Sequence, residues 1–233
     1  MMNEESVSAH VPGRDLGGLG MEGIAEVLLG AGVGVGPLAP NHARLALTIY
    51  RELAEGRPLP PATLDRAASA AGISAELAKE AGARWLEFDA AGSVIGFGGL
   101  TLLPTPHRLV LDDATLYLWC ALDGFLIAHA LRRSVRVETL CPASGAAIDV
   151  RADTGGVTGA TPSSAVMSIV APPLSCPCSV STTRRGFCDF VSFYRSEQEA
   201  GDATKARGGA ILSLDAAFSM SALLMGPLRD ASV

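Results

Sequence analysis

The chain has 233 residues, of which 48% are hydrophobic and 18% are charged, and its formal net charge is −6 at pH 7. This composition supports a buried core and excludes a chain that is disordered throughout. The excess of acidic residues argues against binding nucleic acid through a basic surface, because such binding needs cations that neutralise phosphates.

The lack of a recognisable secretory signal and the number of cysteines together predict a cytoplasmic protein. The N-terminal residues lack the basic region and apolar core of a secretory signal. The five cysteines are an odd set, which fits reduced thiols better than a disulfide framework. The most apolar stretch, Leu116 to Leu131, is shorter than the ~20 residues that a membrane span needs and contains Asp123. We therefore expect no membrane contact.

The first 40 residues are rich in glycine and other small residues. Within them, only Met21 to Leu29 has the pattern of a short helix. Such a composition provides few side chains that could anchor the segment to a core. Residues 1–40 are therefore expected to be a flexible or loosely docked, glycine-rich extension.

Ordered structure is expected from Asn41, a residue type that caps helices. The predicted elements that follow are three helices and a hairpin: His42–Leu53, Ala62–Ala71, Ala75 to about Trp85, and Leu86–Phe97. This order is typical of a winged helix, so residues 41–106 are predicted to be a winged-helix-like N-terminal domain. The third helix has as many acidic as basic residues, which speaks against reading DNA.

The second half of the chain, residues 107–233, is predicted to be an α+β domain with a mostly antiparallel sheet. Predicted strands cover residues 108–111, 134–140, 146–151, 166–170, 186–194 and 210–214. Residues 153–164 are predicted to be a loop, and two helices are predicted after the capping residues Ser196 and Asp215.

The stretch from Leu116 to Leu131 is apolar on every side, which indicates a buried helix, capped by Asp112 or Asp113. Cys120 and Asp123 would lie on one face of that helix because they are three residues apart. A buried carboxylate costs several kcal/mol unless it is paired, hydrogen-bonded or protonated. Asp123 is therefore either a satisfied structural residue or an acid–base partner for Cys120, and the spacing leaves both interpretations open.

Specific motifs resemble the organomercurial lyase family, also called the alkylmercury lyases. The strongest is Trp119-Cys120-Ala121-Leu122-Asp123, preceded by Leu116-Tyr117, and a second is Phe187-Cys188. Further segments that resemble the family, in the expected order, are Glu55–Pro58, Ala62–Leu64, Gly98–Pro104 and Arg136–Gly145. The likeness extends from about Leu45 to Leu228, which is most of the chain.

The resemblance implies a bacterial mercury-resistance enzyme that cleaves the carbon–mercury bond to give a hydrocarbon and Hg(II). It makes 107–233 the catalytic domain and assigns both catalysis and mercury binding to Cys120, Asp123 and Cys188. Thiolate is a soft ligand that suits mercury, and a second thiolate would push electron density onto the bound carbon. The carboxyl group of Asp123 would then deliver a proton to that carbon, and an apolar surround, by raising its pKa, suits this role.

This scheme requires no cofactor, because mercury belongs to the substrate and the product. The expected partners are organomercurial small molecules, small thiols and, by family analogy, mercuric reductase as the acceptor of Hg(II). Two alternatives remain. A non-enzymatic winged-helix sensor would bind mercury or another soft metal without cleavage, whereas a thiol redox protein would need a Cys-x-x-Cys motif that this sequence lacks.

The other cysteines receive different interpretations. Cys141 precedes Pro142 in a predicted turn and is interpreted as structural. Cys176 and Cys178 depart from the family pattern, and two cysteines alone are a weak metal signal, so a loop without a catalytic role is preferred. Asp189 stands where other members can carry a further thiol, and strand alternation would point it away from Cys188.

Overall fold

A computed structural model describes residues 14–34, 40–82, 85–112, 114–172, 179–226 and 228. The helices within these ranges are α1 (Met21–Gly30), α2 (Pro40–Leu53), α3 (Pro61–Ala70), α4 (Ala75–Gly82), α5 (Ala121–Leu131), α6 (Val180–Gly186), α7 (Glu197–Lys205) and α8 (Leu214–Leu224). None of them is long and apolar enough to span a bilayer.

The strands form two antiparallel sheets, which confirms the predicted α+β class. The strands are β1 (Leu86–Phe88), β2 (Val94–Phe97), β3 (Leu100–Thr101), β4 (His107–Leu111), β5 (Ala114–Leu118), β6 (Val135–Leu140), β7 (Ala147–Ala152), β8 (Val157–Thr161), β9 (Val166–Ile169), β10 (Phe193–Tyr194) and β11 (Ala210–Ser213). The larger sheet has the order β1-β2-β3-β5-β4-β6-β7-β8, and the smaller has the order β10-β9-β11.

Helix α5 lies at the centre of the core. The Phe125 ring makes edge-on contacts with Phe193 and Phe218, at centroid distances of 5.8 and 5.5 Å. Gly124 lets the helix approach β6, because a Cβ atom there would lie 2.6 Å from a methyl group of Val137. The larger sheet, the smaller sheet and α8 thus meet around one helix, which fixes the position of its first turn.

The N-terminal part of the chain packs more firmly than its composition indicates. Helix α1 forms where it was predicted, and Leu16, Ile24 and Leu28 are fully buried. The described part of residues 1–40 therefore contributes side chains to the core, and a flexible or loosely docked extension stays a prediction for this segment as a whole. Helices α2 to α4 and the β1–β2 hairpin also form as predicted. The larger sheet includes strands on both sides of residue 106, and a domain boundary there stays a prediction.

Several local predictions in the second half were wrong. Leu116–Leu118 belongs to strand β5 and not to the central helix, because a short apolar run also suits a strand buried between neighbours. Asp112 does not cap α5; it follows β4 with a φ of 47° and pairs with Arg133, just beyond the other end of that helix. The residue at 113 lies outside the described residues.

The predicted loop at 153–164 contains strand β8, which pairs with β7 and completes the edge of the larger sheet. The predicted strand at 186–194 is the end of α6, a 3-10 helix (Cys188–Phe190) and the short β10. Most of the aromatic and β-branched residues that favoured a strand there are buried around this irregular connection instead, and Phe190 is partly buried. The final helix begins two residues early, at Leu214, with Ser213 as its cap in place of Asp215.

Candidate active site

Cys120 lies at the junction of β5 and α5, where it is the N-cap of the helix. Its backbone is extended, and hydrogen bonds hold the residues on both sides. The N–H of Trp119 donates to the Gly99 carbonyl at 2.8 Å, and the N–H of Ala121 donates to the Val191 carbonyl at 3.0 Å. These contacts join the start of α5 to the turn between β2 and β3 and to the segment that follows Cys188.

Asp123 and Cys120 form a reciprocal cap at this helix end. The backbone N–H of Cys120 donates to Oδ2 of Asp123 at 2.8 Å, and the Cys120 sulfur accepts from the backbone N–H of Asp123. Sequence spacing predicted the proximity of these side chains. The two side chains are close because Cys120 is the N-cap and Asp123 lies in the first turn of the helix. The prediction had placed both residues within the helix.

A glycine makes room for the Asp123 carboxylate. Gly99 has a φ of +99°, and a Cβ atom at this position would lie 2.2 Å from Oδ1 of Asp123. A side chain at position 99 would therefore both strain the backbone and displace the carboxylate. Sequence reasoning did not identify Gly99 as part of the site, and the adjacent pair Gly98-Gly99 was the available signal.

Cys188 is the first residue of the 3-10 helix that follows α6, and its side chain lies close to Cys120. Single ligand atoms of Cys120, Asp123 and Cys188 all lie within 4.8 Å of one another. The three residues are 0%, 6% and 4% exposed, respectively. All three residues predicted for the site therefore converge at one buried point, although Cys188 comes from a helical turn and not from a strand.

Burial controls the protonation of these groups. Desolvation raises the pKa of Asp123 from 3.8 to about 7, against the opposing effects of hydrogen bonds from Cys120 and the nearby Arg184 cation. Desolvation also raises the pKa of the Cys120 thiol well above its usual range, and its hydrogen bond to Cys188 acts in the same direction. That bond lowers the pKa of Cys188, but burial and the Asp123 charge outweigh it, so the net pKa is raised. At neutral pH both thiols are protonated, and Asp123 is poised between its two forms.

An apolar pocket of ≈140 Å³ opens onto Asp123 and Cys188. Its wall includes residues from helices α2 and α3, the β1–β2 hairpin and the segments around the two cysteines: Leu45, Ala46, Ile49, Tyr50, Leu64, Leu86, Phe97, Trp119 and Phe187. The Tyr50 hydroxyl donates to the Gly98 carbonyl at 2.8 Å, which fixes the ring beside Phe97. The N-terminal helices thus build the space in which a ligand would contact the carboxyl group.

Of the three remaining cysteines, only Cys141 belongs to the described residues, and it lies away from the site. Cys141 is buried, and its thiol donates to Glu199 at 3.0 Å, in a network that includes Ser144. This contact agrees with the structural interpretation of Cys141. Cys176 and Cys178 lie outside the described residues. Asp189 is exposed whereas Cys188 is buried, so the two side chains do point apart, on a 3-10 helix and not on a strand.

Comparisons with known proteins identify the relatives of this chain. The family model for alkylmercury lyase matches residues 100–226. An alkylmercury lyase from Bacillus cereus is 37% identical over 140 residues, which cover 60% of this chain and 62% of that relative. The alkylmercury lyase from Pseudomonas putida is 30% identical over 197 residues, which cover 82% and 90% of the two chains.

A solved structure has the same fold. The crystal structure of the mercury-bound form of MerB2 superposes with a TM-score of 0.68 and 22% sequence identity, over 89% of this chain and 98% of that chain. At this identity the likeness establishes the fold alone. The family model and the Pseudomonas putida relative establish the ancestry, and the chain belongs to the alkylmercury lyase family.

Proposed function

We propose that this protein is an organomercurial lyase that cleaves a carbon–mercury bond by protonolysis and yields a hydrocarbon and Hg(II). The observation that carries the proposal is the convergence of Cys120, Asp123 and Cys188 within 4.8 Å, where an apolar pocket reaches the carboxyl group. Membership of the alkylmercury lyase family supports the same reaction.

The first stage is capture of the substrate as R–Hg⁺, carried by a small thiol. One buried cysteine loses its proton and forms a sulfur–mercury bond, while the carrier thiol leaves. Burial keeps both resting thiols protonated, so a base must accept a proton before the second sulfur binds mercury. Asp123 contacts Cys120 and has a pKa of about 7, which lets it accept that proton at neutral pH.

The second stage is transfer of that proton to carbon. With two thiolates on mercury, the electron pair of the carbon–mercury bond moves to carbon and forms the new C–H bond with the proton from Asp123. The balance is R–Hg⁺ plus two thiols giving R–H, a mercury bis-thiolate and one proton. Asp123 ends as a carboxylate, as it began, so the same residue serves as base and then as acid.

The pocket accommodates the organic group of the substrate. Its lining is mostly apolar, which excludes water from the carbon that receives the proton. An apolar cavity of about 150 Å³ engineered in another protein binds benzene, so a pocket of ≈140 Å³ has room for a phenyl group.

We also propose the cellular setting of this reaction. No cofactor takes part, since the thiols and the carboxyl group supply all the chemistry. Small thiols deliver the substrate and remove Hg(II) in the cytoplasm, and mercuric reductase is a candidate acceptor. Residues 41–106 act as a winged-helix-like unit that serves as a wall of the substrate site and not as a DNA reader.

The test is incubation of the protein with phenylmercury and excess thiol, followed by gas chromatography of benzene and measurement of Hg(II). A lyase releases both in equal amounts. Tight binding of phenylmercury without benzene would reject the lyase and favour a sensor. Cys120→Ser should abolish benzene release because it removes one of the two mercury ligands and the proton source for Asp123.

A further inference from the structure

Glu87, on strand β1, makes two contacts that the proposed reaction does not use. Its Oε2 accepts a hydrogen bond from the indole Nε1 of Trp119 at 3.1 Å. Its Oε1 accepts one from the guanidinium Nη1 of Arg184, also at 3.1 Å. The Glu87 side chain is only 10% exposed, so both contacts are largely shielded from water.

The strand next to Glu87 leaves space for its carboxylate. Glu87 is opposite Gly96 in the β1–β2 pair, and the register shifts directly after Glu87. A Cβ atom on Gly96 would lie 2.1 Å from Oε2 of Glu87. The carboxylate therefore lies over a glycine. Any larger residue at this position of β2 would clash with the carboxylate.

Both partners of Glu87 lie on the segments that carry the thiols. Trp119 directly precedes Cys120, and Arg184 is in the last turn of α6, which leads into the 3-10 helix that begins at Cys188. One carboxylate thus contacts both cysteine-bearing segments, which are far apart in the chain. A partly buried ion pair with both oxygens hydrogen-bonded holds its members more rigidly than an exposed pair does.

We propose that Glu87 is a positioning residue that holds the Cys120 and Cys188 segments together, so that both sulfurs reach a single mercury atom. This inference rests on the proposed lyase function. Groups that orient metal ligands without touching the metal typically contribute about 10–100-fold to affinity or activity. The carboxylate acts through Trp119 and Arg184 and makes no contact with the reacting atoms.

The sharpest variant is Glu87→Gln, which preserves the shape of the side chain. An amide has an acceptor oxygen at only one of the two positions that Oε1 and Oε2 occupy, and its NH₂ group faces a donor at the other, so one of the two hydrogen bonds is lost. Glu87→Leu removes both hydrogen bonds and the charge. The matched control is Glu138→Gln, which breaks a carboxylate–arginine contact to Arg108 and Arg136 on the exposed side of the larger sheet.

Three measurements should be made on each variant: kcat for phenylmercury, affinity for Hg(II) in competition with a dithiol, and the melting temperature. We expect Glu87→Gln to lower both kcat and Hg(II) affinity by about 10-fold, and Glu87→Leu by about 100-fold. The ultraviolet thiolate–mercury absorption should weaken in the same order. Glu138→Gln should match the wild type in all three measurements.

Wild-type kcat and Hg(II) affinity in Glu87→Gln would overturn the inference. The inference would also be overturned if the losses of kcat and Hg(II) affinity disappeared at a lower temperature at which each variant is fully folded. Such a result would mean that Glu87 contributes to stability alone. Hg(II) affinity is measured without turnover. If the wild type released no benzene, the proposed function would fail, while the affinity ratio of the variants would still decide the role of Glu87.

Discussion

Replacing Asp123 with asparagine separates the two stages of the proposed reaction. The amide has the same shape as the carboxyl group, and its oxygen can still accept the Cys120 N–H that Oδ2 accepts at 2.8 Å. The helix cap and the positions of the thiols should therefore persist. What the variant lacks is a group that takes a proton from a thiol and returns it to carbon.

The expected cost to turnover is about 10²–10⁴-fold, the usual contribution of a positioned general acid or base. The variant should still bind phenylmercury. Gas chromatography of benzene gives the rate of cleavage, and equilibrium dialysis of mercury gives the binding. If Asp123→Asn released benzene at the wild-type rate, Asp123 would not be the proton donor, whatever the affinity of the variant for phenylmercury.

The same substitution makes a prediction about stability, with a sign set by the pKa. Burial raises the pKa of Asp123 from 3.8 in the unfolded chain to about 7 in the folded protein. As pH rises through this window, the unfolded state loses its proton while the folded state retains it, so stability falls. Between pH 3.8 and about 7 the loss amounts to roughly 4 kcal/mol, and it stays constant above pH 7.

Asparagine does not ionise, so the Asp123→Asn variant should not lose stability in this way as pH rises. The stability of Asp123→Asn relative to the wild type should increase by about 3 kcal/mol from pH 5 to pH 8. Urea unfolding of both proteins at the two pH values, in the presence of reductant, measures this difference. A difference in stability that does not change with pH would show that Asp123 does not have a raised pKa in the folded protein.

Three further tests, two of them with a control variant, address other parts of the site and core. Cys188→Ser should abolish benzene release, whereas Cys141→Ser, at a thiol bonded to a different carboxylate, should retain it in the same assay. Gly99→Ala should lower stability by about 1–3 kcal/mol in urea unfolding and reduce turnover, because its Cβ meets the active-site carboxylate at 2.2 Å. Gly145→Ala shares a positive φ but meets nothing within 4 Å, so it should lose stability alone. Burial lowers the pKa of His107 from 6.5 to about 4, so stability should fall as pH drops through this window, by about 3 kcal/mol in total. His107→Gln should reduce that dependence, and an unchanged pH profile would contradict it.

The sequence supported correct predictions wherever local rules determine the structure. Strands β6 and β7 form at the predicted positions to within one residue, and Ser196 caps α7, the helix that was predicted to follow it. Local rules failed around Cys188, where a run rich in aromatic residues favoured a strand. There the chain forms helical turns, because burial against α5 and the smaller sheet outweighs the intrinsic preference of those residues.

The geometry of the site depends on contacts between distant segments, and periodicity carries no information about them. Part of the pocket wall comes from α2, which has an ordinary amphipathic pattern in the sequence. The contact between Glu87 and Arg184 joins strand β1 to α6, and no spacing rule relates these two residues. The resemblance to a family supplied Cys188 as a candidate, whereas its approach to Cys120 follows from packing.

The two interpretations of Asp123 that the sequence left open, structural and chemical, are compatible with each other at the level of single atoms. Oδ2 accepts the backbone N–H of Cys120, which orients the carboxyl group and favours an unprotonated oxygen at that position. The proposed reaction therefore assigns the transferred proton to Oδ1, the oxygen that any side chain at Gly99 would displace. In the proposed reaction the helix cap would therefore orient the acid, burial would keep it partly protonated at neutral pH, and Gly99 would leave room for the oxygen that carries the proton.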